Sequence, residues 1–310
     1  MLRATVLPVL LALSAVAFLT ACAAGDSTVS TTPSPDAAAD RAGTVDVGDG
    51  RELYLECHGT GSPTVILVSG LGDSAEVWST RLDEADTSAP TVSADVAEFT
   101  RVCAYDRPGT AESRSTAVDQ PTSAQISADD LHRLMIASEE KGPFVLAGHS
   151  YGGPIIRLLA SGHPDEVAGL VLVDALSEDL QAGMTAEQQV VFEELNRPTQ
   201  PGAEFFDFAT LVTQLRGSAA VSDIPVIVLT ADTPQLTPEA VASGQLPAGV
   251  DQEFADALWA AQLAAQDLLP AKFVRAVHIT DTRSDHYIQL GNPQLVIDSI
   301  REVVLEVRGS

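Results

Sequence analysis

Lysine is nearly absent from this chain of 310 residues, and basic residues as a whole are scarce. There are 17 lysine and arginine residues against 43 aspartate and glutamate residues, which gives a formal net charge of −26. A nucleic-acid-binding protein needs a basic face to contact phosphates, so this composition excludes nucleic acid as a partner. The hydrophobic content of 45% is high enough for one large globular domain or two small ones, and it excludes disorder as the global state.

Cysteine is also rare, with three residues in the whole chain. Three cysteines are too few for a disulfide scaffold, and the sequence contains neither a Cys-x-x-Cys motif nor a Cys/His cluster with the spacing of a zinc site. We therefore predict no structural metal site.

The amino terminus, residues 1–21, has the layout of a secretory signal. Arg3 precedes an apolar run from Ala4 to Phe18, which is too short to span a membrane comfortably, and Leu19-Thr20-Ala21-Cys22 follows. These four residues resemble the lipobox of bacterial lipoproteins, which implies cleavage before Cys22 and a lipid on its sulfur. An ordinary secretory signal with an incidental cysteine is the alternative. We expect an exported protein, held on the extracytoplasmic side of a bacterial membrane by a lipid anchor only.

The composition changes twice after the signal. Residues 22–43 are rich in Ser, Thr, Pro, Ala and Asp without apolar periodicity, as in a solvated linker behind the lipidated cysteine. Residues 44–310 are predicted to form the folded domain.

Short apolar runs alternate with longer helical patterns along this domain. Runs such as Val65-Ile66-Leu67-Val68 do not alternate with polar residues, as expected for a parallel strand that is covered on both faces. The pattern predicts an α/β fold with a mostly parallel central sheet flanked by helices. Residues 175–222 interrupt the alternation with two short helical stretches and are predicted to form a lid over the carboxyl edge of the sheet, where open α/β folds bind ligands. The predicted strands are Glu52 to Cys57, Thr64 to Ser69, Arg101 to Tyr105, Phe144 to Gly148, Gly169 to Asp174, Pro225 to Thr230 and Phe273 to Thr280; the main predicted helices are Ser127 to Ser138, Tyr151 to Ser161, Glu253 to Leu269 and Pro293 to Val307.

The most informative motif is Gly148-His149-Ser150-Tyr151-Gly152, which joins a predicted buried strand to a predicted helix. Glycines on both sides of a serine permit a sharp strand-to-helix turn that exposes the hydroxyl group. The motif alone is weak, but its place between strand and helix favours Ser150 as a nucleophile over a serine that is incidental to a glycine-rich turn.

Five segments together carry a family resemblance. They occur in the order VSGLG at 68–72, RVCAYDRPG at 101–109, GHSYGG at 148–153, GLVLVDA at 169–175 and DHYIQ at 285–289. From about Thr44 to the end, the chain resembles the α/β-hydrolases. The resemblance implies a serine hydrolase that needs no cofactor.

A serine nucleophile requires a base to accept its proton. Of the six histidines, His286 lies in a loop after the last predicted strand, where the family places its base. The resemblance also implies an oxyanion hole made by the backbone N–H groups of Tyr151 and Leu71. The alternative for the Leu71 loop is a plain turn after a strand.

Two aspartates compete for the role of the acid. The more usual family site follows the strand Pro225 to Thr230, where Asp232 is the nearby carboxylate but comes two residues early. The other family site closes the preceding strand, and Asp174 occupies it without adjustment. We expect Asp174 to orient His286 and retain Asp232 as the alternative.

The resemblance also implies a disulfide between Cys57 and Cys103, because the family's second and fourth strands are neighbours and export leads to an oxidising compartment. Two buried free thiols are the alternative.

The function predicted from these residues is cleavage of a small-molecule carboxylic ester through an acyl-enzyme. Thioesterase, amidase or peptidase chemistry at the same site, and a non-catalytic binding protein on the same fold, are the alternatives. Apolar lid residues either line an acyl pocket or anchor the lid to the body; these are Met184, Phe192, Phe205, Phe206 and Phe208.

Overall fold

The computed structural model describes residues 40–310. The predicted signal peptide, Cys22 and most of the predicted linker lie outside the described residues. Within residues 40–310, no helix is both long and apolar enough to cross a membrane. The described chain forms one sheet from the strands β1 Arg41–Gly48, β2 Arg51–His58, β3 Thr64–Val68, β4 Val102–Tyr105, β5 Phe144–His149, β6 Val167–Val173, β7 Val226–Leu229 and β8 Ala276–Ile279.

The strands lie in the order β1-β2-β4-β3-β5-β6-β7-β8. Strand β2 is antiparallel to both β1 and β4, and every pairing from β4 through β3 to β8 is parallel. The prediction of a mostly parallel sheet is therefore confirmed. Because parallel strands end at the same edge of the sheet, the loops after β3, β5, β6, β7 and β8 converge there.

Helices cover both faces of the sheet. In β3, Ile66 and Val68 belong to one hydrophobic core, whereas Val65 and Leu67 belong to the other, and all four are buried. The uninterrupted apolar runs of the sequence thus reflect burial on two sides. The α-helices are α1 Val92–Ala97, α2 Ala124–Ala137, α3 Gly152–Gly162, α4 Ala186–Leu195, α5 Phe208–Gly217, α6 Pro238–Ala242, α7 Gln252–Leu268, α8 Ile288–Gly291 and α9 Pro293–Gly309.

At the antiparallel end of the sheet, the sequence did not predict strand β1, whereas the expected disulfide is present. Strand β1 begins at Arg41, inside the predicted linker, and the sequence signal was weak because this edge strand buries only Val45 and Val47. Cys57 of β2 and Cys103 of β4 are directly opposed in register and form a disulfide, as the resemblance implied.

The predicted lid region between β6 and β7 contains α4 and α5, as expected. The connection between β7 and β8, which contains α6 and α7, also covers the carboxyl edge, because residues from both connections line one pocket there. The sequence predicts a helix at Glu253 to Leu269 but not its location, since an amphipathic helix has the same pattern whether it packs on a sheet or over a cavity.

Candidate active site

Ser150 lies on the turn between β5 and α3 and has a backbone φ of +50°, in the left-handed region that non-glycine residues rarely adopt. Hydrogen bonds hold this conformation: the Ser150 N–H donates to the Val173 carbonyl over 3.1 Å, and the Ser150 carbonyl accepts from the Leu176 N–H over 2.9 Å. A side chain at Gly152 would collide with the Val68 carbonyl oxygen. The glycine is therefore required by close packing, and the turn presents Ser150 half-buried at the pocket.

Asp174 follows β6 and contacts His286, which follows β8. The distance from His286 Nδ1 to Asp174 Oδ2 is 2.6 Å, and the Asp174 side chain is 2% exposed. A carboxylate only accepts hydrogen bonds, so this contact places a proton on Nδ1 and leaves the lone pair of neutral His286 on Nε2. Ser150, Asp174 and His286 all line the same pocket.

Two further donors satisfy the Asp174 carboxylate. The Ala231 N–H donates to Oδ1 over 3.0 Å, and Gln262 Nε2 donates to Oδ2 over 3.1 Å. The first comes from the loop after β7 and the second from α7. Sequence reasoning missed Gln262, because no local motif marks a helical glutamine as a partner of an aspartate 88 residues away.

Asp232, the alternative acid, has a different set of contacts. Its carboxylate accepts from the N–H groups of Arg283 and Ser284, over 2.9 and 3.0 Å. It therefore holds the start of the loop that carries His286, while the imidazole itself is paired with Asp174.

His149 also contacts the loop that carries His286. Its Nε2 lies 2.9 Å from the His286 carbonyl oxygen, which makes Nε2 the protonated nitrogen. Burial, followed by the repulsion of His286, lowers the pKa of His149 well below its usual range. His149, which directly precedes Ser150, is thus a neutral hydrogen-bond donor.

Leu71 and Tyr151, the two residues expected to supply oxyanion N–H groups, both line the pocket beside Ser150. The loop that carries Leu71 is held by a buried ion pair that sequence reasoning missed. Arg107 donates to the Ser69 and Gly70 carbonyls and pairs with Glu204, whose Oε2 accepts the Gly72 N–H over 2.8 Å.

The Arg107 and Glu204 side chains are 2% and 1% exposed. Arg107 belongs to the RVCAYDRPG segment, which gave a signal, but Glu204 lies in the β6–β7 connection and gave none. The β6–β7 connection and the loop after β3 that carries Leu71 are therefore linked by a charge pair that water does not reach.

The pocket has a volume of about 480 Å³ and a mainly apolar wall. Phe192 and Phe206 line it, and the Phe206 ring stacks on Tyr151 with centroids 4.3 Å apart. Met184 and Phe208 are buried in the same core but do not line the pocket, so Phe192 and Phe206 serve both roles considered for the lid residues, whereas Met184 and Phe208 only anchor the lid region. The β7–β8 connection contributes the opposite wall, whose residues include Pro234, Leu236, Leu246, Leu258, Trp259 and Gln262.

Among residues 40–310, two groups of side chains are close enough together to hold a metal ion, and both lie away from the pocket. One contains Cys57 and Cys103, whose sulfur atoms are bonded to each other. The other group consists of His132, His163 and Glu166. The Glu166 Oε1 atom lies 3.0 Å from His132 Nε2 and 3.6 Å from His163 Nδ1. The two imidazole rings stack with centroids 3.5 Å apart. The three side chains thus satisfy one another, next to the amino end of β6 and opposite the edge that carries Ser150.

The chain matches a known family. The model of the alpha/beta hydrolase family matches residues 65–299, which is more than half of the chain, and the protein is a member of that family.

The relatives are distant. A protein of Caulobacter sp. (strain K31) named "Putative carbamate hydrolase RutD" is 37% identical over 140 residues, which are 44% of this chain and 46% of that protein. The matches span less than half the length of the curated relatives. An esterase of Thermogutta terrifontis superposes with a TM-score of 0.54 at 18% identity, covering 87% of this chain and 99% of that one. For carboxylesterase CesB of Bacillus subtilis the TM-score is 0.52 at 14% identity, with coverage of 87% and 93%. These structural likenesses establish the fold.

Proposed function

We propose that this protein is a serine hydrolase that cleaves a carboxylic ester through an acyl-enzyme. The observation that carries the proposal is the 2.6 Å contact between Asp174 and His286 beside the pocket that Ser150 lines. A nucleophile on a strained turn, a base with a free Nε2 lone pair and an acid that fixes its tautomer are the components that acyl transfer requires.

In the proposed mechanism, Ser150 Oγ attacks the ester carbonyl carbon while His286 Nε2 takes the hydroxyl proton. The carbonyl oxygen becomes an oxyanion, which the N–H groups of Leu71 and Tyr151 stabilise. The tetrahedral intermediate collapses, the C–O bond to the alcohol breaks, and the imidazolium returns the proton to the departing oxygen. Water then attacks the acyl-enzyme by the same steps and releases the carboxylic acid and free Ser150. Asp174 stays ionised and stabilises the imidazolium throughout.

The pocket favours a neutral ester with an apolar group. Its wall combines aliphatic and aromatic side chains from both connections, and its volume of about 480 Å³ suits a small-molecule substrate. A carbamate is the second candidate substrate, because the relatives named for carbamate hydrolysis share up to 37% identity and the same nucleophile can attack a carbamate carbonyl.

A panel of p-nitrophenyl esters of increasing acyl length, together with a p-nitrophenyl carbamate, tests the proposal. We expect turnover of the esters, loss of turnover in Ser150→Ala, and covalent labelling of wild type but not of Ser150→Ala by a fluorophosphonate. Equal labelling of both proteins would contradict the role of Ser150, and faster turnover of the carbamate would favour the second substrate.

We also propose that the protein is exported and lipid-anchored through Cys22. The lipobox-like sequence at 19–22 supports this proposal, and a Cys57–Cys103 disulfide suits an oxidising compartment. Mass spectrometry of the mature protein from its native membrane should find a diacylated amino-terminal cysteine. A mature protein cut elsewhere, or one with unmodified Cys22, would refute the anchor.

A further inference from the structure

The Asp174 carboxylate receives its hydrogen bonds from three different segments of the chain. Ala231 donates to Oδ1, whereas His286 Nδ1 and Gln262 Nε2 both donate to Oδ2. The oxygen that orients the base therefore carries a second donor, from helix α7. Asp174 also has a backbone φ of +38°, which is unfavourable for a residue other than glycine. Contacts with neighbouring residues must therefore stabilise this backbone conformation.

Helix α7 is itself fixed to the two strand ends beneath it. Gln266 lies four residues after Gln262, on the same face of the helix, and is 1% exposed. Its Nε2 donates to the Ala175 carbonyl over 2.6 Å, and its Oε1 accepts from Thr230 Oγ1 over 3.2 Å. These contacts anchor α7 on the residue after Asp174 and on the end of β7. Gln262 is thus placed against the carboxylate by a rigid element.

The chemistry of an amide donor suits this position. A hydrogen bond to the carboxylate favours its ionised form and fixes its orientation. A lysine or arginine there would cancel the negative charge that stabilises the imidazolium of His286, whereas a neutral amide leaves that charge in place. Gln262 also lines the pocket with Trp259, one turn earlier on α7.

We infer that Gln262 is a positioning residue for Asp174. Helix α7 is then part of the proposed catalytic apparatus as well as a wall of the pocket. The inference rests on the proposed function, because it assigns Asp174 as the acid of that mechanism.

The variant Gln262→Met tests the inference, since methionine keeps the length of the side chain and removes the donor. We expect kcat to fall about tenfold, the scale of one hydrogen bond to a charged group, with a smaller change in KM. The acid limb of the kcat/KM profile should move to higher pH, because an Asp174 carboxylate without its amide donor holds the imidazolium proton more tightly.

The control is Gln252→Met, the same substitution on the exposed first turn of α7. It should leave kcat, KM and the pH profile unchanged. Circular dichroism and thermal melting establish that each variant folds, and Gln262→Leu, which also removes the donor, replaces the methionine variant if that variant does not fold.

A second readout needs no substrate. The proton on His286 Nδ1 should give a downfield ¹H NMR resonance that shifts in Gln262→Met and disappears in Asp174→Asn. Wild-type kcat, pH profile and Nδ1 resonance in folded Gln262→Met would overturn the inference. Retention of turnover by Ser150→Ala would instead refute the proposed function, and the resonance would still report whether Gln262 acts on Asp174 and His286.

Discussion

The sequence leaves two carboxylates as candidate acids. They make different contacts in the structure, so we expect different effects when each is replaced by asparagine. Asp174 is buried and bonded to His286, whereas Asp232 is exposed and bonded to the backbone of Arg283 and Ser284. Asp174→Asn should lower kcat by about 10⁴, because an amide in place of the carboxylate holds the wrong tautomer of the base.

Asp232→Asn is the matched variant. Asparagine retains one acceptor for the loop, so we expect a loss of unfolding free energy of about 1 kcal/mol and less than about a tenfold change in kcat. Steady-state kinetics of the two purified variants checks both predictions. A loss of about 10⁴ in Asp232→Asn alone would reassign the acid.

At the scale of elements, the Arg107–Glu204 pair links the β6–β7 connection to the loop after β3. Glu204→Gln removes the negative charge and leaves Arg107 buried without its partner, which should cost about 3 kcal/mol of unfolding free energy. We expect kcat to fall by about 10²-fold, because the N–H of Leu71 loses its fixed position.

Glu194→Gln provides the comparison for that variant. Glu194 belongs to α4 in the same connection and pairs with Arg197 on the surface, where both side chains are more than half exposed. Denaturant unfolding and steady-state kinetics should show almost no change, since exposed pairs contribute about 0–1 kcal/mol. An equal effect of both substitutions would mean that the buried pair has no special role.

The β6–β7 connection is also tied to the rest of the domain through Glu178, which contacts Arg157 of α3 and Lys272. Burial alone would raise the pKa of Glu178, but Arg157 and then Lys272 outweigh it and lower the pKa to about 2. Between this value and the ordinary value of 4.5, the unfolded chain binds a proton that the folded chain does not. The stabilisation by Glu178 is therefore complete above about pH 4.5 and is lost as the pH falls toward 2.

Glu178→Gln should accordingly flatten the pH dependence of the unfolding free energy below pH 4.5. Urea denaturation of wild type and variant at a series of pH values measures this slope. Glu193→Gln, on the exposed surface of α4, should retain the wild-type slope over the same range. Identical slopes in wild type and Glu178→Gln would contradict the assignment.

For the whole molecule, the net charge of −26 predicts which esters reach the pocket fastest. A strongly acidic protein attracts cationic substrates and repels anionic ones, and salt screens both effects over a Debye length of about 10 Å at 0.1 M. We expect kcat/KM for a cationic ester to exceed that for an anionic ester of matched size at low ionic strength. The ratio should shrink as sodium chloride is added, and a ratio that salt does not change would show that the pocket alone sets the preference.

Much of this arrangement could be predicted because it is local. The strands of the parallel sheet are runs buried on both faces, which gives an apolar signal that is independent of the rest of the chain. The turn at Ser150 needs glycine within two residues on either side, and His286 lies in the loop that follows the last strand. Strand β1 gave little signal, because an edge strand that buries two valines resembles the end of a linker.

By itself, the sequence determined the class of fold, the candidate nucleophile and the candidate base, since each depends on a short pattern of residues and its place between a strand and a helix. Only the tertiary structure decided which aspartate meets His286, because Asp174 and Asp232 both follow strands at the same edge and differ in the direction of their side chains. It also brought Gln262 to Asp174 and Glu204 to Arg107. Contacts between residues about 90 or more positions apart depend on how helices and loops pack over the sheet, and no local pattern records that packing.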